Sequence, residues 1–358
     1  MSKFYPLTVS DIRPETRDAL VLSFSVPADL RPQFLYKEGQ HLTLRAQIDG
    51  QDVRRSYSIC AAVQDAQLRV AVKRVQGGVF SNWVHEGLSA GMSIDVMPPM
   101  GHFNLPLAAE QKHHYLAFTA GSGITPILSI IKTTLLSEPH SRFTLVYGNR
   151  ASSAVMFKEE LAALKDSFLQ RLNLIYIMSR EQQDIALFNG RITEDKCNDL
   201  FDKWIAVSDF DAAFICGPED MMHAVSASLQ KNGMSRDKIK VELFAASIPA
   251  HKHVASAKPL PGKASCAVTV IMDGHHTHFE MEKDRESVLD AALKLGHDMR
   301  YSCKGGVCST CRCKIIEGKV DMDRNYALED YEIARGFVLT CQSFPVSDTL
   351  TLDFDSEN

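Results

Sequence analysis

No run of this 358-residue chain approaches 18 uncharged apolar residues, and Met1-Ser2-Lys3-Phe4-Tyr5-Pro6 opens without the apolar core of a leader. Neither membrane spanning nor export is expected, and the cytoplasm is the expected compartment. Internal repeats and low-complexity segments are also missing. Charge of one sign is scarce, with a net of only −5, so nucleic-acid binding has no electrostatic support. What imbalance exists is local. From Cys266 onward there are 17 Asp and Glu against 10 Lys and Arg, leaving about +2 for the remainder. An acidic end of that kind suits docking on a basic redox partner. The nine cysteines show no secreted disulfide spacing, which points to a reducing environment. Hydrophobic content of 45% and charged content of 23% are those of an ordinary globular chain, long enough for two or three domains.

What is present is concentrated chemistry. Cys303-Lys304-Gly305-Gly306-Val307-Cys308-Ser309-Thr310-Cys311, with Cys341 beyond it, has the C-x₄-C-x₂-C…C spacing of plant-type [2Fe–2S] ferredoxins. Two bridged irons need four soft anionic ligands, three of them from one tight turn. Gly305 and Gly306 let that turn fold and aim N–H groups at sulfur. A structural zinc site fits less well, because zinc sites usually pair two C-x₂-C knuckles and the run supplies only one.

Three blocks follow from periodicity. Residues 1–107 read as alternating strands, Ala19 to Val26, His41 to Ile48 and Leu68 to Lys73 among them, and predict an antiparallel β-barrel. Residues 108–248 alternate apolar strands (His114 to Phe118, Phe143 to Tyr147, Leu174 to Ile177, Ala213 to Cys216) with helical patterns such as Met156 to Leu164 and Ile127 to Leu135. That is βαβ logic with a parallel sheet. Pro249 to Ser265, with three Lys and three Pro, reads as a linker. The block 266–358 carries the cysteine run.

Arg55-Ser56-Tyr57-Ser58 lies in the first block, with Val72-Lys73 and Gly77-Gly78-Val79-Phe80-Ser81 after it. A fixed guanidinium suits a pyrophosphate, a phenol ring can stack on a flat heterocycle, and glycines opening a helix leave N–H groups for phosphate. The order R-x-Y-S then G-x-x-S resembles the flavin-binding signature of the ferredoxin–NADP⁺ reductase superfamily. In the second block, Gly121-Ser122-Gly123-Ile124-Thr125-Pro126 stands between a strand and a helix, where glycines permit close approach to a dinucleotide, and it resembles the superfamily's nicotinamide-nucleotide loop. Tyr147-Gly148-Asn149-Arg150, Met178-Ser179-Arg180-Glu181 and Cys216-Gly217-Pro218-Glu219-Asp220-Met221 end further strands. The last is similar to the superfamily's C-G-P-x-x-M string, and Val241-Glu242-Leu243-Phe244 to its E-x-F string.

The order flavin barrel, nucleotide domain, plant-type (β-grasp) ferredoxin resembles the hybrid oxygenase reductases. The resemblance implies FAD, NADPH and a [2Fe–2S] cluster held by Cys303, Cys308, Cys311 and Cys341. It implies flavin contacts from Arg55, Tyr57, Ser58, Val72, Lys73, Gly77, Gly78, Phe80 and Ser81, with Ser58 at the flavin N5 edge. For the nucleotide it implies Gly121, Gly123, Thr125, Pro126, Arg150, Ser179, Arg180, Gly217 and Pro218. Cys216 is expected beside the nicotinamide, and Phe244 over the flavin face. Electrons would run from NADPH through flavin to cluster, and on to a di-iron oxygenase acting on an aromatic CoA thioester. Arg150, Ser179 and Arg180, with no acidic residue between Tyr147 and Ser153, favour a 2′-phosphate and hence NADPH. An NADH-dependent relative serving another acceptor, and a non-catalytic redox carrier, stay open. Cys313 is expected to be a packed thiol. His275, His276 and His278 follow Asp273-Gly274 and read as solvent-facing strand residues rather than metal ligands.

Overall fold

The computed structural model describes residues 4–244 and 264–356. They form two compact units: Tyr5–Val53 with Tyr57–Phe244, and residues 264–356 with Phe4 and Arg54–Ser56.

The first unit opens with β1 (Tyr5–Thr16), β2 (Ala19–Ser25), β3 (His41–Ile48), β4 (Gln51–Ser58), β5 (Leu68–Lys73), α1 (Val79–Gly87) and β6 (Ser93–Val96). The strands form one sheet in the order β4-β3-β6-β1-β2-β5. Just past β4, Ile59 bridges Val70 of β5, so the two edges meet and the sheet closes as a barrel. Alternation sets the interior, where Leu7, Val9, Leu22, Leu42, Leu44, Ile59, Val70 and Val96 are buried together.

The same unit continues through β7 (His114–Ala120), α2 (Ile124–Ser137), β8 (Arg142–Asn149), α3 (Lys158–Ser167), β9 (Leu172–Met178), α4 (Glu194–Lys203), β10 (Ala212–Gly217), α5 (Glu219–Lys231) and β11 (Ile239–Leu243). These strands pair in parallel in the order β11-β10-β7-β8-β9. Helices cover the sheet, so β7 and β10 are apolar almost throughout. Strand order reverses between β7 and β10, which makes the carboxyl ends of those two strands the expected ligand crevice. Barrel residues Ala19, Val21, Cys60 and Ala71 share a core with α2 and the sheet.

Two helices begin elsewhere than periodicity suggests. The Met156 to Leu164 pattern becomes a helix only from Lys158, because Phe157 takes left-handed backbone at φ +57° and gives its N–H to Glu15 Oε1 at 2.6 Å. A single 3₁₀ turn over Gly121–Gly123 brings the start of α2 forward to Ile124, so Pro126 sits within its first turn, where a missing N–H costs nothing.

The second unit contains β12 (Ser265–Met272), β13 (His275–Glu282), α6 (Val288–Lys294), β14 (Arg312–Glu317), β15 (Val320–Met322), α7 (Asp330–Ala334), β16 (Phe337–Leu339), β17 (Ser343–Pro345) and β18 (Thr349–Asp353). Its main sheet runs β13-β12-β18-β14-β16, with β12 and β18 parallel. Asp273 and Gly274, at φ +53° and +72°, make the hairpin turn expected of Asp-Gly. Cys266, Val268, Met281, Leu289, Cys313, Phe337 and Leu352 lie in its core. Of the expected linker, residues 249–263 lie outside the described residues, and Ser265 already opens β12.

Candidate functional site

In the second unit the cysteine run folds as a loop before β14. Lys304, Gly306 and Ser309 all take left-handed backbone, and this curls the chain around its own sulfurs. Gly306 is required twice over: a Cβ there would meet Arg324 O at 3.0 Å and Gln342 Cγ at 3.1 Å. The Cys303 thiol lies in hydrogen-bonding range of Cys308 and Cys341, and Cys341 also in range of Cys311. Gly305 N–H donates to Cys303 Sγ at 3.3 Å and Cys303 N–H to Cys308 Sγ at 3.5 Å. Donation from the Cys308 and Cys341 thiols, then from backbone N–H groups, holds the Cys303 thiol well below its ordinary range. Four converging sulfurs with N–H groups aimed at them fit a [2Fe–2S] cluster, whose sulfur charge such donors stabilise. Cys313 takes no part in these contacts; it is buried in β14 opposite Val338.

His275, His276 and His278 are exposed on β13, as expected. Among the described residues no group of three or more His, Cys, Asp or Glu is arranged around a single ion.

β4 carries Tyr57 and Ser58 in the first unit, and Arg55 on the stretch that groups with the second. Arg55 is exposed, with one guanidinium N–H on Arg54 O at 2.7 Å. Tyr57 is half-buried, its ring 5.9 Å from that of Phe80. Phe80 itself is buried and also packs on Trp83, so it supports Tyr57 from beneath. Val72 is likewise in the barrel core, and Lys73 Nζ lies 3.6 Å from Asp18. Gly77 has φ +71° and nothing within 4 Å of where its Cβ would be. Ser81 Oγ accepts from Val75 N–H at 3.1 Å and braces the turn over Gly78. A supported phenol face and an open glycine turn at the start of α1 fit a flavin nucleotide.

On the nucleotide side, the ends of β7 and β10 adjoin as the strand order requires. Gly121 has φ +56° and open space at its Cβ position, whereas a Cβ on Gly123 would stand 2.2 Å from Cys216 O. The two glycines therefore do different work: the first leaves room for a ligand, and the second lets the turn pack on β10. Thr119 Oγ1 donates to Cys216 O at 2.8 Å, Tyr147 Oη to Gly121 O at 2.9 Å, and Thr125 Oγ1 to Ser122 O at 3.0 Å. Pro126 is buried, and Pro218 caps α5 after Gly217. Asn149 is buried at the end of β8, its side chain in hydrogen-bonding range of the Tyr147 hydroxyl. Arg150 and Arg180 are exposed on adjacent strand ends, joined by Arg180 N–H to Arg150 O at 2.8 Å.

Two residues that sequence reasoning did not nominate stand inside this arrangement. Glu242 pairs with Cys216 across β10 and β11, and Ser58 Oγ donates to Glu242 Oε2 at 3.2 Å. One carboxyl thus joins the flavin strand to the end of the nucleotide sheet. Burial, and then the Glu242 charge, push the Cys216 thiol well above its ordinary range, so it is a neutral thiol. Phe244, two residues on, is half-buried against the nucleotide core. The second residue is Glu181, whose carboxylate accepts Ser152 N–H at 2.7 Å and Ser152 Oγ at 2.8 Å. The loop that lacked an acid in sequence acquires one from the neighbouring strand end.

Glu242 gives a pH prediction. Burial raises its carboxyl from 4.5 to about 8, although the Ser58 hydroxyl pulls it down. The folded protein keeps a proton that the unfolded chain releases near 4.5. Its stability therefore falls as pH rises from about 5 to 8, by up to about 4 kcal/mol. The melting temperature of the wild type, relative to Glu242→Gln, should drop by roughly 10 °C between pH 5 and pH 9. A difference that is the same at both pH values would contradict this.

Three protein families match in series: an oxidoreductase FAD-binding domain over residues 6–105, an oxidoreductase NAD-binding domain over 118–227 and a 2Fe-2S iron-sulfur cluster binding domain over 270–346. Among curated relatives, a component of the 1,2-phenylacetyl-CoA epoxidase of Escherichia coli K12 is 44% identical, covering 100% of this chain and 99% of that protein. The ferredoxin reductase component of 3-ketosteroid-9-alpha-monooxygenase from Rhodococcus rhodochrous is 34% identical, covering 97% and 96%. Phthalate dioxygenase reductase shares the fold at a TM-score of 0.57 with 22% identity, covering 98% of both chains. No helix among the described residues is long and apolar enough to cross a membrane.

Proposed function

The chain belongs to the ferredoxin–NADP⁺ reductase family with a C-terminal plant-type ferredoxin domain, and from that membership we propose that it supplies electrons to the oxygenase of a phenylacetyl-CoA epoxidase. As an NAD(P)H-dependent oxidoreductase of this family it uses FAD and a [2Fe–2S] cluster. When bound, these groups take an electron pair from the nicotinamide and release it singly. The chain's own residues bind and orient. Tyr57 offers a face for stacking, Arg55 and the Gly77 turn offer pyrophosphate contacts, and Ser58 holds a hydroxyl at the junction with the nucleotide sheet. Burial raises the proton affinity of both Cys216 and Glu242 and so disfavours fixed charge at that junction. The observation that carries the reading is the Ser58–Glu242 bond at 3.2 Å, because it brings the candidate flavin strand and the candidate nicotinamide strand to one point.

The partner assignment rests on full-length identity of 44% to the epoxidase component. Its test is reconstitution: with a di-iron phenylacetyl-CoA oxygenase component, this protein should support nucleotide-dependent epoxidation, and should not support 3-ketosteroid hydroxylation by that system's oxygenase. The reverse preference would overturn the assignment. We place the domain limits at 1–107, 108–248 and 266–358. The cytoplasm is the compartment in keeping with nine cysteines that form no disulfide among the described residues.

For the electron donor we favour NADPH, since Arg150 and Arg180 stand side by side on adjacent strand ends, with Ser179 next to Arg180. Replacing both arginines by leucine should raise KM for NADPH by about ten- to a hundredfold and leave that for NADH nearly unchanged, the effect of losing charge-assisted phosphate contacts. One observation favours NADH instead. Glu181 on Ser152 could accept a ribose hydroxyl, and then Glu181→Gln would raise KM for NADH while the arginine variant changed neither.

A further inference from the structure

Helix α2 begins at the Gly121–Gly123 turn and runs for 14 residues. Beyond its first turn one face carries Ser129, Lys132 and Thr133, spaced three and four apart so that they share a stripe. All three bind the same short segment of the barrel. Ser129 Oγ donates to Ala61 O at 2.6 Å, Thr133 Oγ1 accepts from Val63 N–H at 3.2 Å, and Lys132 Nζ donates to Asp65 Oδ2 at 2.5 Å. That segment continues directly from β4, and Ser58 lies two residues before Cys60.

The contact is charged and largely shielded. Lys132 Nζ also donates to Glu160 Oε1 at 2.8 Å, and the same oxygen accepts from Arg69 Nη2 at 2.5 Å. Arg69 in turn holds Cys60 O through two N–H groups at 3.1 and 2.9 Å. Side-chain exposure is 10% for Arg69, 13% for Lys132, 22% for Glu160 and 24% for Asp65, so water screens these pairs only partly. Glu160 stands on α3, whose amino end is pinned separately to the barrel by Glu15 at Phe157 N–H. The loop before α3 contains Arg150 and Ser152.

We infer that Asp65, Arg69, Lys132 and Glu160, with Glu15 as a second anchor, are positioning residues for electron transfer from nucleotide to flavin. They fix the helix that starts at the pyrophosphate turn, and the helix that follows the ribose loop, against the strand that presents Tyr57 and Ser58. At 1.5 Å per residue Lys132 lies about 12 Å along α2 from Ile124, so a shift at this clamp is carried by a rigid rod to the nucleotide site. Transfer between two stacked rings tolerates little displacement, since about 1 Å can cost a hundredfold in rate. This inference rests on the function proposed above. None of the clamp residues touches either ligand site, so their effect must pass through geometry.

The neutral double variant Lys132→Met/Glu160→Gln leaves Arg69 and Asp65 balanced in charge. In the full-length holoprotein its limiting rate of flavin reduction by NADPH, or by NADH if that is the donor, should fall at least tenfold, with the apparent nucleotide Kd within twofold of wild type. The long-wavelength absorption of nicotinamide stacked on flavin should weaken in parallel, and amide hydrogen exchange over residues 60–66 should quicken. Lys132→Arg alone should keep the wild-type rate. Glu15→Met, which removes the acceptor from Phe157 N–H and leaves the lysine clamp whole, should slow reduction by a smaller factor. Unchanged rate and absorption band in both the double variant and Glu15→Met, whatever the change in melting temperature, would overturn the inference. A wild-type protein whose flavin neither nucleotide reduces would instead remove the function beneath it.

Discussion

Cys341→Ser is expected to abolish the visible absorption and the reduced-state electron paramagnetic resonance of the [2Fe–2S] cluster, while Cys313→Ser keeps both. The Cys341 sulfur is in hydrogen-bonding range of Cys303 and Cys311. Serine offers a hard oxygen that is protonated at neutral pH, a poor match for iron in a sulfide-bridged pair. Three thiolates cannot complete the tetrahedra of two irons. Cys313 is two residues from a proposed ligand, yet its side chain lies in the core of the ferredoxin unit beside Val338 and Phe337. Burial pushes its thiol well above the ordinary range, as for any packed, inert cysteine. Serine there buries a hydroxyl and should cost about 1–3 kcal/mol in stability without removing iron. Full cluster signal in the Cys341 variant would transfer the fourth-ligand role elsewhere.

Ser58→Ala should lower the limiting rate of flavin reduction by about a hundredfold, with nucleotide KM changed less than threefold. Removing one preorganised hydrogen-bond partner at a reacting centre typically costs that much. A second signature separates this from simple damage. The Ser58 hydroxyl pulls the Glu242 carboxyl down against the larger effect of burial, so its loss should move that carboxyl further up. The pH dependence of flavin reduction in the variant should therefore shift to higher pH. A variant with an unaltered rate and pH profile would mean that Ser58 only ties β4 to β11.

The sequence made most of the architecture legible, because the signals were local. Alternation placed His41–Ile48 and Leu68–Lys73 at the strand limits found, and the apolar runs from His114 to Cys216 marked the parallel sheet within two residues. The cysteine spacing identified the cluster loop, since one turn must supply three ligands. What stayed hidden depends on pairing between distant segments. Glu242 is one character of an E-x-F string until β10 and β11 pair and Ser58 reaches it from 184 positions away. Glu181 lies outside Tyr147 to Ser153, yet its carboxylate closes on Ser152 from the next strand end. Phe157 fits a helical period, but Glu15 of β1 takes its N–H and delays α3. Gly123 looks like a phosphate glycine, whereas contact with Cys216 O is what demands it. Val72 and Phe80 are buried in the barrel core, and Ser81 Oγ accepts from Val75 N–H.

The central claim is that electrons entering from a nicotinamide pass through flavin to the cluster within one chain. Anaerobic titration of the purified holoprotein, followed by its visible spectrum, tests it most directly. Flavin and iron–sulfur bands should bleach together on adding NADPH, and full reduction should take about three electrons per chain, two for flavin and one for the cluster. A flavin that bleaches while the cluster stays oxidised, or a protein that neither NADPH nor NADH reduces, would contradict the account.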